Sequence, residues 1–73
     1  MHESALASIQ RQQIEVAIGE LLLTSDHYMR MSVTEHIRHL IAHADHTLDI
    51  EQFSEAAREE LEELNLLPPS NPI

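Results

Sequence analysis

All three prolines of this chain, Pro68, Pro69 and Pro72, lie in its last six residues, and its single glycine is Gly19. Proline and glycine are the residues that most strongly oppose a helix interior. Between about residues 4 and 67, capping signals are therefore the main features that could end a helix, and the sequence predicts an all-α chain. We expect one helical domain at 1–67 and an extended or disordered proline-rich tail at 68–73.

Capping signals divide this helical region into three predicted helices, at about 4–23, 33–46 and 50–64. The polar segment 24–27 is suited to a turn after the first helix. Ser32 and Glu35 match a capping box that would open the second helix, and Asp49 with Gln52 matches another that would open the third. Asn65 can adopt the left-handed conformation that closes a helix.

The length of the chain limits the core that it can form alone. A chain of 73 residues buries only about 60% of the surface that its unfolded form exposes. The chain has no cysteine, so disulfides and thiolate metal sites are excluded as means of stabilising it. Oligomerisation is the common remaining solution, and it is the one that we expect here.

Charge restricts the partners of this protein. Thirteen Asp and Glu residues stand against four Arg and no Lys, which gives a formal net charge of −9. This charge repels phosphate backbones, so direct binding to nucleic acid is not expected. The same field speeds encounter with a basic protein, such as the DNA-facing surface of a transcription factor.

The N-terminus lacks the features of a signal peptide. It carries Glu3 where a signal peptide has a basic region, and the longest fully apolar run is only three residues, 21–23. Neither a cleavable signal nor a membrane-spanning helix is therefore expected. The predicted location is the cytoplasm.

The first predicted helix has two apolar faces. One is an ordinary core stripe within an arc of about 100°, formed by Ala7, Ile14, Ile18, Leu21 and Leu22. On the opposite side Ile9, Val16 and Leu23 recur every seven residues and stack within about 40°; we call these three residues the seam. Either the other two helices wrap the first one completely, or the seam meets its own copy across a two-fold axis in a homodimer.

Each of the other two helices has a single apolar stripe, so together they can cover one side of the first helix. These stripes are Val33, Ile37, Leu40, Ile41 and Ala44 in the second helix, and Ile50, Phe53, Ala57, Leu61 and Leu64 in the third. Gly19 costs about 1 kcal/mol in a helix interior relative to Ala. It is therefore a candidate position for a close helix crossing.

Histidines are concentrated on the second predicted helix. Four of them follow an i, i+3, i+7, i+10 spacing: His36, His39, His43 and His46. The simplest interpretation is a polar border beside the apolar stripe. Alternatively, His39 and His43, one turn apart, could chelate Zn²⁺ with the other histidines or with Glu35 or Asp45. A third interpretation is a pH-sensitive interface, since several histidines would become charged near pH 6.

The third predicted helix is strongly acidic. Its candidate partner-binding residues are Glu51, Glu55, Glu59, Glu62 and Glu63, with Glu60 beside them. Negative charge at a helix C-terminus opposes the helix dipole, so local stability does not account for this arrangement. It is interpreted either as a solvated face that keeps a small protein soluble or as a docking surface for an Arg- or Lys-rich partner.

Recognisable catalytic motifs are missing from the sequence. It has no Cys nucleophile, no Gly-rich phosphate loop and no Ser in a strand-turn-helix context. A three-helix domain with one Phe, one Tyr and no Trp also offers little volume for a substrate. Neither enzymatic activity nor a cofactor is expected.

The segment from Ile14 to about Leu61 resembles the YmgB/AriR family, the small biofilm-development and two-component connector proteins of enteric bacteria. The resemblance rests on an apolar helix ending in the segment 19–26, a helix carrying Ile37 and two further apolar residues, the polar region 45–47, and a last helix beginning near 48–50. It implies an all-helical homodimer that binds a response regulator or similar transcription factor. Because this chain has no Lys, the DNA binding proposed for the family is not expected here, and the resemblance does not extend to the four histidines.

Three hypotheses for function follow. The first is a dimeric regulatory adaptor that acts by binding a protein, such as a transcription or response regulator. The second is a His-rich metal-binding or pH-sensing protein. The third is an acidic inhibitor, for example one encoded by a phage, that occupies the DNA site of a host DNA-binding protein by charge mimicry.

Overall fold

The computed structural model describes residues 3–66, which form three α-helices and one short 3-10 helix. The α-helices are α1 (Ala5–Leu23), α2 (His27–Ala42) and α3 (Glu55–Glu63), and the 3-10 helix spans Ile50–Gln52. No strand occurs in this part of the chain, so the prediction of an all-α fold with three helices is confirmed. The predicted tail at 68–73 lies outside the described residues.

Local hydrogen bonds fix both ends of α1. Ser4 is its N-cap, and the Ser4 hydroxyl accepts a hydrogen bond of 3.0 Å from the backbone N–H of Ala7. At the other end, the Thr24 hydroxyl donates to the carbonyl of Glu20 at 2.7 Å. The guanidinium of Arg30 donates to the Leu21 carbonyl at 2.9 Å and to the Thr24 carbonyl at 3.0 Å. These bonds satisfy carbonyls that the helix end would otherwise leave unpaired.

The start of α2 differs from the prediction. The helix begins at His27, six residues before the expected residue 33, and Ser32 lies in its interior. The N-cap is Asp26, whose carboxylate accepts a hydrogen bond of 2.9 Å from the backbone N–H of Met29. Asp is as good a cap as Ser, and no helix breaker separates Asp26 from Ser32, so the earlier cap prevails.

The end of α2 also differs, since the helix stops at Ala42 instead of about residue 46. The reason is a tertiary contact with α1. The Gln10 amide donates to the carbonyl of His43 at 3.3 Å, and its oxygen accepts from the backbone N–H of Asp45 at 2.8 Å. These backbone groups bond to α1 instead of continuing the helix.

The third helix starts five residues later than the predicted residue 50. Asp49 caps only the 3-10 helix, by accepting from the backbone N–H of Glu51 at 3.0 Å. Phe53 then adopts an extended conformation and is buried, which separates the 3-10 helix from α3. Ser54 is the N-cap of α3, and its hydroxyl accepts from Ala57 at 3.2 Å. The prediction of one continuous helix at 50–64 is therefore wrong.

The end of α3 follows the prediction for Asn65, which has a φ of 59°. The backbone N–H of Leu66 donates to the carbonyl of Leu61 at 2.9 Å, and that of Asn65 donates to the carbonyl of Glu62 at 3.0 Å. This pair of bonds is the Schellman arrangement, in which a left-handed residue closes a helix.

The core lies where α1 packs against both α2 and α3. Its members are Ile14, Ala17, Ile18, Leu21, Ile37, Phe53, Ala57 and Leu61, with Val33, Leu40, Ile41, Leu48, Ile50, Leu64 and Leu66 partly buried around them. The three predicted apolar stripes therefore supply the core. Leu22 was placed in the α1 stripe wrongly, since it is 53% exposed and its place is taken by Ala17.

Gly19 does not mark a helix crossing within this fold. It lies on the exposed side of α1, and a Cβ atom built on it would meet nothing within 4 Å. The expectation of a close approach at this residue is therefore wrong for the single chain. Among the described residues, no helix has both the length and the apolar character needed to cross a membrane.

Candidate functional site

The three seam residues are exposed in the folded chain. The exposed fraction is 54% for Ile9, 65% for Val16 and 90% for Leu23. Neither α2 nor α3 covers them, so the alternative in which the other helices wrap α1 completely is wrong for the described part of the chain. Apolar side chains are thus placed in solvent on the face of α1 opposite its core stripe.

Ile9 and Val16 line an open groove of about 490 Å³ between α1 and α2, here called the α1–α2 groove. Its apolar surface also includes Ala17 from α1 and Leu40 from α2, and its polar lining residues are Gln12, Gln13, Glu20 and His36. Leu23 is not among the lining residues. The structure thus brings two of the three seam residues together with α2 and leaves the third at the end of α1.

A second group of exposed apolar side chains surrounds the connection between α1 and α2. Besides Leu22 and Leu23 it contains Tyr28, Met29 and Met31, all from the first turn and a half of α2. These three residues were not predicted as a surface group, because the second helix was expected to begin only at residue 33 and it begins at His27. The signal that could have revealed this group is the run of Tyr and Met side chains at 28–31, which follows directly after Asp26, a favourable N-cap residue.

The four histidines are all exposed, but the structure separates them. His36 lines the α1–α2 groove, and His46 lies beyond the end of α2 with its Nδ1 4.0 Å from a carboxylate oxygen of Asp45. Only His39 and His43 pair closely, with ring centroids 4.3 Å apart. Within residues 3–66, no three His, Asp or Glu side chains are grouped closely enough to hold a metal ion, so the predicted four-histidine site is not assembled.

The predicted acidic row is divided between two elements. Glu51 belongs to the 3-10 helix, whereas Glu55, Glu59, Glu62 and Glu63 lie on α3. All five side chains are exposed. None takes part in the ion pairs of the described residues, which join Arg11 to Glu3 and Arg38 to Glu35, or in the contact of His46 with Asp45. Their negative charge is therefore directed at solvent.

A polar network that the sequence did not reveal binds the segment after α2 to the start of α1. The Ser4 backbone N–H donates to the Thr47 hydroxyl at 3.0 Å, and the Ser4 hydroxyl lies 3.2 Å from the Asp45 carboxylate. The Thr47 hydroxyl and backbone N–H both donate to the same carboxylate. These bonds, led by the Thr47 hydroxyl, lower the pKa of Asp45 below its usual value of 3.8.

Two glutamates of the N-terminal half form further hydrogen bonds and an ion pair between segments that are distant in the sequence or on different elements. Glu3 forms an ion pair of 3.0 Å with Arg11 and accepts from the backbone N–H of Asp49 at 3.0 Å. Glu15 accepts from the backbone N–H of Ser54 at 2.9 Å and from its hydroxyl at 3.0 Å, which attaches α1 to the start of α3. These carboxylates are structural, because the described chain already supplies their partners.

Comparisons with protein-family models, with curated proteins and with solved structures found no match to this chain. The resemblance to the YmgB/AriR family stays a prediction.

Proposed function

We propose that this protein is a homodimeric regulatory adaptor, in which the seam and the α1–α2 groove bind a second copy and the dimer then binds a protein partner. The observation that carries the proposal is the exposure of Ile9 and Val16 on α1, whose opposite face forms the core. An apolar lining with polar residues at its edge is typical of a protein interface. The groove includes one carboxylate, Glu20, and one imidazole, His36, and we assign it to binding and not to catalysis.

The expected dimer is of modest affinity. Across a two-fold axis the seam supplies six side chains, and burying their exposed parts contributes roughly 6 to 12 kcal/mol. The loss of translational and rotational freedom costs about 4 to 15 kcal/mol. These opposing amounts are similar, so the other groove residues must add to the interface, and we expect dissociation in the micromolar range.

Sedimentation velocity across the micromolar range tests the dimer. We expect the wild type to sediment at twice the chain mass of 8.3 kDa and the Ile9→Asp/Val16→Asp variant to be monomeric. Leu22→Asp is the matched control, because Leu22 is 53% exposed on the same helix but lies about 140° around it from Ile9. A monomeric wild type, or a control as disruptive as the seam variant, contradicts the proposal; circular dichroism checks that each variant is folded.

The partner that we propose is the basic surface of a transcription or response regulator. A formal charge of −9 and four exposed glutamates on α3 without an ion pair in the described region support this choice. The opposite charge of a DNA-binding surface would raise the association rate and favour this class of partner over acidic proteins.

Affinity purification with two baits tests the partner. We expect the wild type to retain a basic DNA-binding protein, and a Glu55→Gln/Glu59→Gln/Glu62→Gln/Glu63→Gln variant to lose it. Retention of the same protein by both baits would contradict the role of α3. A competition assay with the recovered protein then separates two modes of action: release of its DNA would indicate the acidic inhibitor, and a ternary complex would indicate the adaptor.

A further inference from the structure

His39 and His43 form an isolated pair of imidazoles on the exposed side of the last turn of α2. Their ring centroids lie 4.3 Å apart and their planes are inclined by 49°. Their spacing is fixed by the helix itself, since His43 is the C-cap and its backbone N–H donates to the carbonyl of His39 at 3.1 Å. Neither side chain is engaged in a hydrogen bond or ion pair with the described residues.

We propose that His39 and His43 chelate one Ni²⁺ or Cu²⁺ ion, with water in the remaining coordination positions. Two imidazoles on one ion, each bonded at about 2.0 to 2.1 Å, have centroids roughly 4.5 Å apart at a ligand angle of 90° and roughly 5.2 Å apart at the tetrahedral angle. The observed 4.3 Å is closer to the 90° arrangement. That angle suits the octahedral or tetragonal geometry of Ni²⁺ and Cu²⁺ better than tetrahedral Zn²⁺.

The position of the pair in the fold also favours a cation. Both histidines lie at the C-terminus of α2, where the helix dipole presents partial negative charge. The net charge of −9 raises the concentration of divalent cations near the surface. The proposed site is separate from the α1–α2 groove, so it does not depend on the proposed dimer.

The neighbouring side chains explain why two ligands are proposed and not four. Glu35 lies one turn before His39, but it is paired with Arg38 at 3.9 Å. The Asp45 carboxylate is bound by Thr47, and His46 follows the end of the helix. A two-histidine chelate is therefore expected to bind an ion more weakly than a closed four-ligand site.

Isothermal titration of Ni²⁺ into the full chain at pH 7.5 tests the proposal. All proteins carry His2→Gln, so that this histidine, which lies outside the described residues, adds no Ni²⁺ binding of its own. We expect one ion per chain, and a loss of affinity of about tenfold or more for either His39→Gln or His43→Gln. The matched controls His36→Gln and His46→Gln are expected to bind like the parent.

Two further measurements make the assignment specific. Ni²⁺ should raise the melting temperature of the parent but not that of His39→Gln/His43→Gln, because an ion bound only to the folded helix stabilises it. Zn²⁺ should bind more weakly than Ni²⁺. The proposal is overturned by the absence of saturable binding, by equal losses in the control variants, or by tighter binding of Zn²⁺.

Discussion

Asp45 is a single carboxylate that joins two parts of the chain 41 residues apart. It accepts hydrogen bonds from both Thr47 donors and lies 3.2 Å from the hydroxyl of Ser4, the N-cap of α1. All of these groups favour the ionised carboxylate, which is why the pKa of Asp45 is lowered. The start of α1 and the segment after α2 are therefore held together by a group that responds to acid.

Replacement of Asp45 by Asn should make stability less dependent on pH. Because the folded pKa of Asp45 lies below its unfolded value, the carboxylate stabilises the fold above that unfolded value and the contribution is lost as the pH falls through the folded pKa. We expect the wild type to melt at a higher temperature than Asp45→Asn at pH 7, and the difference to shrink below about pH 4. Thermal denaturation followed by circular dichroism measures this.

Glu62→Gln is the control for that series. Glu62 is exposed, and its side chain has no hydrogen bond to the described residues. Its substitution should change the melting temperature little across the same pH range. For each variant, the quantity compared is the difference of its melting temperature from that of the wild type. If this difference depended on pH as strongly for Glu62→Gln as for Asp45→Asn, general charge, and not the Asp45 network, would cause the effect.

Gly19 offers a gain in stability. It lies inside α1 with no positive φ, and a Cβ atom would meet nothing within 4 Å. Gly19→Ala is therefore expected to raise the free energy of unfolding by about 1 kcal/mol, measured by urea denaturation. A loss of stability would instead mean that another surface, such as a second copy, packs against this position.

At the scale of the elements, two serines provide a test of the observed helix starts against the predicted ones. Ser54 caps α3, whereas Ser32 lies inside α2. Ser54→Ala should cost about 1 kcal/mol or more, because it removes the N-cap and one of the two bonds to Glu15. Ser32→Ala should be neutral or slightly stabilising, since Ala is the better helix former.

The pair Ser54→Ala and Ser32→Ala forms a matched experiment, because the same atom is removed from two exposed serines. Urea denaturation under identical conditions gives both free energies of unfolding. If Ser32→Ala lost more free energy of unfolding than Ser54→Ala, the result would support the predicted start of α2 at residue 33 and contradict Asp26 as its N-cap.

At the scale of the whole molecule, the net charge of −9 acts in opposite directions on the two proposed interactions. Two like-charged copies repel each other, while a basic partner is attracted. Raising sodium chloride from about 0.01 M to 1 M shortens the screening distance from about 30 Å to about 3 Å. The homodimer should therefore become tighter with salt, and the complex with the regulator should become weaker.

Sedimentation velocity and fluorescence anisotropy measure these two salt dependences. The variant with four Glu→Gln substitutions on α3 should show a smaller effect of salt in both assays, because its net charge is reduced. If salt weakened the homodimer, charge pairs and not the apolar seam would hold it together, contrary to the proposal.

Helix content, the core stripes and the second apolar face of α1 could be predicted from the sequence because each depends on local periodicity, whereas the packing of α2 and α3 decided that this second face is exposed. Ile37 and Leu61 are buried as their stripes predicted, and Asn65 ends α3 as expected. These features depend on neighbouring residues along one helix, and the scarcity of Gly and Pro left no competing fold class.

The tertiary structure alone decided which capping signals are used and which side chains meet. The bonds of Gln10 to the segment after α2, and of Glu15 to Ser54, join residues that lie 33 to 39 positions apart. No local pattern specifies such pairs, because they depend on how the helices pack. For the same reason, the sequence pattern predicted a group of four histidines, but in the fold only His39 and His43 lie close together.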